Sequence, residues 1–122
     1  MNILVLGGNG YLGSKIVKQL VLKKANVFST IRERSDLSRL IDIKDNINFV
    51  NAKYQDIDNM LSDVRIDCIV NMVCDYGRCA NIDMIHSNLM FPLEVLELAA
   101  KHNVNKFITV GTALPVDLNL YS

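Results

Sequence analysis

Three glycines near the amino terminus, Gly7, Gly10 and Gly13, lie directly after an apolar run at residues 2–6 and open a segment with helical periodicity. Gly7 permits a tight turn, Gly10 lets backbone amides approach an anion, and Gly13 lets the helix pack close to the strand. The amino terminus of the helix adds unpaired N–H groups and a partial positive charge. The spacing therefore predicts a phosphate-binding turn. The simpler alternative is a strand-to-helix turn without a ligand.

Further apolar runs rich in β-branched residues predict more strands, with helical patterns between them. Together the predicted strands cover residues 2–6, 26–31, 46–50, 66–73 and 106–110. Continuous apolar runs suit parallel strands that are covered on both faces. The alternation of strands and helices, without hairpin signals, predicts an α/β fold. We expect a Rossmann-type three-layer sandwich with a parallel sheet of about five strands in the order 3-2-1-4-5.

The last helical pattern runs from residue 81 to residue 102 and places several apolar side chains on one face. These are Leu89, Leu93, Leu96 and Ala100. Pro92 lies inside this pattern. We expect it to kink the helix or to divide it in two, because proline lacks an N–H group and its ring clashes with the preceding turn.

Length and charge limit the possible functions. A chain of 122 residues, half of them hydrophobic, can bury one core, so we expect residues 1–122 to form one domain, the Rossmann-type domain with the phosphate-binding turn. Thirteen basic residues balance thirteen acidic ones, which argues against nucleic acid and anionic lipid as partners. The apolar runs are far shorter than the roughly 18 residues of a membrane span, and the charged start of a signal peptide is missing. We therefore expect a cytoplasmic protein without a membrane segment.

Metal binding is not expected from the cysteines and histidines. Their spacing in the sequence matches no common zinc pattern. The residues concerned are Cys68, Cys74, Cys79, His86 and His102. We interpret the cysteines as free thiols and the histidines as ordinary helix residues.

The end of the second predicted strand indicates the type of dinucleotide. A carboxylate at this position would bind the ribose hydroxyls of NAD, whereas an arginine accommodates the additional phosphate of NADP. The strand ends at Ile31 and Arg32 follows, so NADP is favoured and NAD remains possible. Arg34 and Ser35 would add phosphate donors. In the alternative interpretation, Arg32, Arg34 and Arg39 form a solvated face opposed by Glu33 and Asp36.

Several motifs in order resemble the extended short-chain dehydrogenase/reductase superfamily, in particular its NAD(P)-dependent nucleotide-sugar epimerase/dehydratase branch. They are GGNGYLG at 7–13, the pair Asp56 and Ile57, NMVCDYG at 71–77, Asn88, NKFITVGTALP at 105–115 and LNLYS at 118–122. The segment DYGR at 75–78 and the short loop before residue 121 look most similar to deoxysugar reductases and epimerases of the CDP-abequose and CDP-tyvelose type.

The resemblance implies a role for each matching position. Asp56 would bind the adenine amino group, Ile57 would face the adenine ring, and residues 71–73 would run beside the cofactor. Thr112 matches the catalytic Ser/Thr, and Tyr121 matches the start of a Tyr-x-x-x-Lys motif. The implied cofactor-binding set is Gly7, Asn9, Gly10, Tyr11, Leu12, Gly13, Arg32, Asp56, Ile57, Asn71, Met72, Val73 and Asn88.

The resemblance also implies an activity on a nucleotide-linked sugar. Tyr121 would exchange a proton with a sugar hydroxyl while hydride passes to or from the nicotinamide, and Thr112 would orient the same oxygen. The lysine of the motif would stand three positions after Ser122, so we expect this chain to be an N-terminal fragment that lacks the substrate lobe and is inactive alone. We expect the open sheet edge and uncovered apolar face to produce a homodimer or weak oligomer.

Two other classes of function remain open. One is a non-catalytic sensor that binds NADP to regulate a partner, as atypical members of the superfamily do. The other is a structural protein that kept the fold and lost the cofactor. Retention of all three glycines of the turn argues against the second.

Overall fold

A computed structural model of the chain describes residues 1–74 and 81–110. The strands are β1 Asn2–Leu6, β2 Asn26–Ile31, β3 Ile47–Asn51, β4 Cys68–Asn71 and β5 Lys106–Thr109. The helices are α1 Tyr11–Leu22, α2 Tyr54–Asp63, α3 Asn81–Ile85 and α4 Phe91–Lys101, with a π-helical segment at His86–Met90 between α3 and α4. Two short 3₁₀ helices, Ser38–Leu40 and Lys44–Asn46, lie between β2 and β3.

The described strands form one parallel sheet in the order β3-β2-β1-β4-β5. This confirms the predicted fold class and strand order. The central strand β1 places Leu4 beside Phe28 of β2 and beside Ile69 of β4. Because the strand order reverses at β1, the carboxyl ends of β1 and β4 border the crevice at which open α/β sheets bind ligands.

Alternate residues of β1 point to two separate hydrophobic cores, which is the arrangement expected for a sheet covered on both faces. Leu4 and Leu6 pack with Ile57 of α2 and Val95 of α4. On the other face, Ile3 and Val5 join a cluster that contains Val17 of α1. The three layers follow directly from the continuous apolar sequence of β1.

The predicted helix at residues 81–102 changes its helix type near Pro92 but is not divided: α3, the π-helical segment and α4 follow one another without a gap. The π-helical segment ends immediately before α4, and Pro92 lies in the first turn of α4, where a missing N–H group costs little. The buried face of α4 consists of Phe91, Val95, Leu98 and Ala99. The apolar face identified in the sequence lies on the other side: Leu89, Leu93 and Leu96 are 53%, 47% and 45% exposed.

Strand β4 is shorter than predicted. The run at residues 66–73 yields a strand only at Cys68–Asn71. After the strand, the side-chain oxygen Oδ1 of Asn71 accepts the N–H of Val73 at 3.1 Å. The N–H of Val73 is therefore not available for the backbone hydrogen bonds that would extend β4. Among the described residues, no helix is both long enough and apolar enough to cross a membrane.

Candidate functional site

The glycine turn begins where β1 ends. Gly7 has a φ of 76°, in the left-handed region that glycine adopts without strain. Its N–H donates to Oγ1 of Thr30 at 3.1 Å, and its carbonyl oxygen accepts the N–H of Gly10 at 3.2 Å. The turn is therefore fixed to β2 and closed by a hydrogen bond of its own.

The other two glycines of the motif have different surroundings. A Cβ atom on Gly13 would overlap the carbonyl oxygen of Gly7 and would lie 3.1 Å from Cα of Gly8. A Cβ atom on Gly10 would meet only the Gly7 carbonyl oxygen, at 3.4 Å. Gly13 is thus required by the packing of helix on turn, whereas Gly10 leaves open space beside the turn.

The amino terminus of α1 faces this space with a charge suited to an anion. Gly10 is the N-cap residue, and the described residues provide neither a side-chain cap nor an acidic residue in the first turn. Within the turn, Gly10 also accepts the N–H of Ser14 at 2.9 Å through its carbonyl oxygen. The first amides of the helix and its partial positive charge remain suited to a phosphate group.

A cavity of about 360 Å³ lies beside the turn. It brings together three residues of the predicted site, Gly7, Asn9 and Arg32. The remaining lining residues are Thr30, Ile31, Arg34, Ser35, Asp36 and Ala52. The cavity therefore joins the glycine turn to the segment that follows β2, the two segments predicted to bind a dinucleotide.

Arg32 and Ser35 close the turn that follows β2. The N–H of Arg32 donates to Oγ of Ser35 at 2.7 Å, and the N–H of Ser35 donates to the carbonyl oxygen of Arg32 at 3.0 Å. Arg32 and Arg34 are exposed at the rim of the cavity. The two arginines contribute two positive charges to the cavity lining.

Asp36 brings a carboxylate to the same cavity. Its Oδ1 accepts the N–H of Ser38 at 2.9 Å. This bond, a second bond from the Ser38 side chain and the charge of Arg39 lower the pKa of Asp36 below its usual range. Asp36 is therefore an anion at neutral pH, and it is an exposed residue of the cavity lining. Its distance along the chain from the end of β2 explains why it was not recognised as a lining residue.

The carboxyl end of β4 lies against the glycine turn. A Cβ atom on Gly7 would lie 3.1 Å from Cγ2 of Val73, and the N–H of Met72 donates to the carbonyl oxygen of Leu6 at 2.9 Å. Asn71 is buried, and its Nδ2 donates to Oγ1 of Thr109 at 3.1 Å. These residues thus border the crevice, and the Asn71 side chain links β4 to β5.

Helix α2 presents its two predicted residues differently. Ile57 is completely buried in the core that it shares with Leu4 and Val95. Its side chain has no surface to offer an adenine ring, so a contact from this position would come from the backbone. Asp56 is half-buried in the first turn of α2. Neither Asp56 nor Ile57 lines the cavity, although Ala52, which precedes α2, does.

The remaining predicted residues lie away from the cavity lining or outside the described residues. Tyr11 and Leu12, at the start of α1, are 69% and 49% exposed, and Nζ of Lys15 lies 4.7 Å from the centre of the Tyr11 ring. Asn88 lies in the π-helical segment. Thr112 and Tyr121 fall outside the described residues, and so does the segment 75–78.

Two further observations concern metals and thiols. Residues 1–74 and 81–110 contain no group of three or more histidine, cysteine or acidic side chains that could hold a metal ion. Cys68 is buried and Cys74 is exposed, and both are free thiols. Burial raises the pKa of Cys68, which keeps that thiol protonated.

A doubly wound parallel sheet, with a glycine turn at the reversal of strand order and a cavity beside it, defines a Rossmann-type α/β protein. The model of the NAD dependent epimerase/dehydratase family matches residues 3–116. The chain belongs to this family.

Individual relatives are more distant and considerably longer. CDP-abequose synthase from Yersinia pseudotuberculosis is 25% identical over 115 residues, which is 92% of this chain and 40% of that protein. The crystal structure of UDP-glucose 4-epimerase from Thermotoga maritima with UDP-glucose has a TM-score of 0.80 and 22% identity, over 92% of this chain and 38% of that one.

The dTDP-glucose 4,6-dehydratase from Bacillus anthracis, solved in complex with NAD, has a TM-score of 0.78 and 23% identity. That match covers 96% of this chain and 41% of the dehydratase. The chain therefore spans about 40% of the length of these relatives.

Proposed function

We propose that this chain is the cofactor-binding part of an NADP-dependent oxidoreductase or epimerase that acts on a nucleotide-linked sugar. The observation that carries the proposal is the cavity between the glycine turn and the cationic segment after β2. Family membership supports the reaction class. UDP-glucose in the Thermotoga maritima epimerase supports a nucleotide sugar as the class of substrate. Residues 1–122 would then be one NAD(P)-binding domain.

The described residues fit a dinucleotide. The open space at Gly10 and the uncapped start of α1 would hold the pyrophosphate, because its oxygens need N–H donors and positive charge. Gly7, Asn9 and Arg32 would line the adenosine side. When bound, the nicotinamide accepts or donates hydride. In this proposal, residues 1–74 and 81–110 bind and orient the dinucleotide. Other groups, Thr112 and Tyr121, carry out the proton transfer.

The preference for NADP rests on charge at one end of the cavity. A guanidinium group pairs with two phosphate oxygens, and both Arg32 and Arg34 reach the rim. Asp36 opposes this preference, because an anionic carboxylate repels a 2′-phosphate and can accept ribose hydroxyls instead. With two cations against one anion, we favour NADP. NAD is the alternative, and it is the cofactor in the name of the family.

Catalysis is assigned by resemblance to Thr112 and Tyr121. Tyr121 would move a proton to or from a sugar hydroxyl, and Thr112 would orient that oxygen. An unperturbed tyrosine has a pKa near ~10, so it needs a neighbouring cation to act as a base at neutral pH. A lysine three positions after Ser122 in the full protein would supply that cation. Its absence would favour the alternative function, a non-catalytic NADP-binding sensor.

A homodimer is part of the proposal. Apart from the buried side of α4, the α3–α4 region presents a row of exposed apolar side chains to solvent: Ile82, Ile85, Leu89, Leu93 and Leu96. Contiguous apolar surface of this kind marks an interaction site. The exposed side chains Ile108 and Val110, at the β5 edge of the sheet, add further uncovered surface.

Titration with NADP⁺, NAD⁺ and their reduced forms, measured by fluorescence and calorimetry, tests the cofactor assignment. We expect tighter binding of NADP⁺, and we expect Arg32→Ala to weaken NADP⁺ binding about tenfold while NAD⁺ binding changes little. Arg65→Ala, an exposed arginine between α2 and β4, is the matched control. Tighter binding of NAD⁺ would contradict the NADP preference. Failure to bind either dinucleotide would contradict cofactor binding by this chain.

A further inference from the structure

We propose that Asn9 is a positioning residue for NADP selectivity. Its side chain would hold the arginine-bearing segment at a fixed distance from the phosphate-binding turn. This role rests on the proposed function, because it concerns the same cavity. It assigns Asn9 a task other than direct contact with the cofactor.

The geometry consists of two hydrogen bonds that run in opposite directions. Nδ2 of Asn9 donates to the backbone carbonyl oxygen of Asp36 at 3.4 Å. Nη1 of Arg39 donates to the backbone carbonyl oxygen of Asn9 at 3.5 Å. Asn9 is thus both donor and acceptor toward one segment, and this half-buried residue is part of the cavity lining.

The segment that Asn9 holds is itself braced. Ser35 closes the turn with Arg32, and Ser38 donates to Asp36. The segment ends at Leu40, which is completely buried in the core under α1. A displacement of Asp36 would therefore be transmitted to the arginines rather than absorbed within the segment.

This arrangement matters for a 2′-phosphate in particular. In NADP the pyrophosphate and the 2′-phosphate are separated by the adenosine ribose, so both can bind only when the turn and the arginines are correctly spaced. NAD lacks the 2′-phosphate and does not require this spacing. Loss of the Asn9 side chain should therefore weaken NADP⁺ binding more than NAD⁺ binding.

The test is a double-mutant cycle on the whole chain, with dissociation constants measured for NADP⁺ and NAD⁺. Asn9→Ala should lower the preference for NADP⁺ over NAD⁺ about three- to fivefold, the size expected for one weak hydrogen bond. In an Arg32→Ala, Arg34→Ala background, Asn9→Ala should have no further effect on this preference, because the arginines through which it acts are gone. Asn59→Ala, on the exposed side of α2, is the control.

Each outcome separates the two proposals. If the unaltered chain binds both dinucleotides equally, the proposed NADP preference fails and the role of Asn9 fails with it. If the chain prefers NADP⁺ and Asn9→Ala weakens both dinucleotides equally, or weakens neither, only the role of Asn9 is refuted. Should Asn9→Ala fold poorly by circular dichroism, Arg39→Ala removes the other hydrogen bond and must lower the preference in the same direction.

Discussion

Gly13 lies so close to Gly7 that a Cβ atom on Gly13 would overlap the Gly7 carbonyl oxygen. The obstacle is backbone rather than a flexible side chain, so the start of α1 would have to move. We expect Gly13→Ala to destabilise the fold by about 1–3 kcal/mol, the usual cost of inserting a carbon into a packed site. Urea denaturation followed by circular dichroism measures this change.

Gly10→Ala is the matched control, because its Cβ atom would meet only the Gly7 carbonyl oxygen at 3.4 Å. The free energy of unfolding should fall by less than about 1 kcal/mol, the cost of alanine at an N-cap. The new methyl group would occupy the space proposed for the pyrophosphate, so dinucleotide binding should weaken. Equal destabilisation by both variants would refute the distinction between a packing glycine and a ligand-facing one.

Lys24 has a φ of 62°, in the left-handed region, directly after the C-cap of α1. The N–H groups of Lys24 and Ala25 donate to Val21 and Leu20, so the conformation is held by the helix end. Glycine adopts this conformation without the steric cost of a Cβ atom. Lys24→Gly should stabilise the chain by about 1 kcal/mol and raise its Tm by about 4 °C.

Asn103→Gly is the comparison for that measurement. Asn103 has a φ of 56°, after the end of α4. Asparagine tolerates the left-handed region better than lysine does. The gain at this position should therefore be smaller. A larger gain at Asn103 than at Lys24 would contradict the steric explanation.

Asp58 joins α2 to the end of α4 through two partners. Nε2 of His102 lies 2.6 Å from Oδ1 of Asp58, and Nζ of Lys101 lies 3.1 and 3.2 Å from the two carboxylate oxygens. The hydrogen bond with His102, followed by that from Lys101, lowers the pKa of Asp58 below its usual range. The folded state therefore binds the proton less tightly than the unfolded state does.

The sign of the pH dependence follows from this lowered pKa. The stabilisation is fully present above the unfolded pKa of about 3.9 and is lost as the pH falls through the lower pKa of the folded state. Asp58→Asn should reduce the stability at pH 7 and flatten the loss of stability below pH ~4. Urea midpoints across this range measure both effects. If the stability of the variant falls with pH below ~4 as steeply as that of the unaltered chain, the loss of stability in acid is due to other carboxylates.

Much of the fold follows from the sequence, because the apolar runs are continuous and the glycine turn fixes the first crossover. The bounds of β1 and β2 are as predicted, while β4 ends early at Asn71, whose side chain competes for a backbone donor. Periodicity identified an apolar face at Leu93 and Leu96. It could not indicate that the fold buries Val95 and Leu98 instead, since both faces of α4 are apolar.

The site was predicted less completely than the fold. Motif spacing predicted that Gly7 and Arg32 belong to one site, and both residues line the cavity. Asp36 could not be predicted as a lining residue, because its place in the cavity depends on how the segment after β2 folds back toward Asn9. The burial of Ile57 depends in the same way on tertiary packing, since its position in the motif does not reveal which side of α2 faces the core.

The exposed face of the α3–α4 region predicts an association of two chains. Leu93 is 47% exposed, although burial of an apolar side chain such as leucine lowers the free energy. A standard interface covers about 800 Å² on each partner, and a helix face with several large apolar side chains can contribute much of that area. Sedimentation should therefore show a dimer at high concentration, and Leu93→Lys should shift it to a monomer.

Leu22→Lys is the control for that shift, because Leu22 is 74% exposed at the end of α1, away from this face. Neither substitution should change the Tm of the monomer by much, since both side chains are already in contact with solvent. A dimer that persists in Leu93→Lys would assign the association to another surface, with the β5 edge at Ile108 and Val110 the next to be tested. A clean monomer in the unaltered chain would refute association altogether.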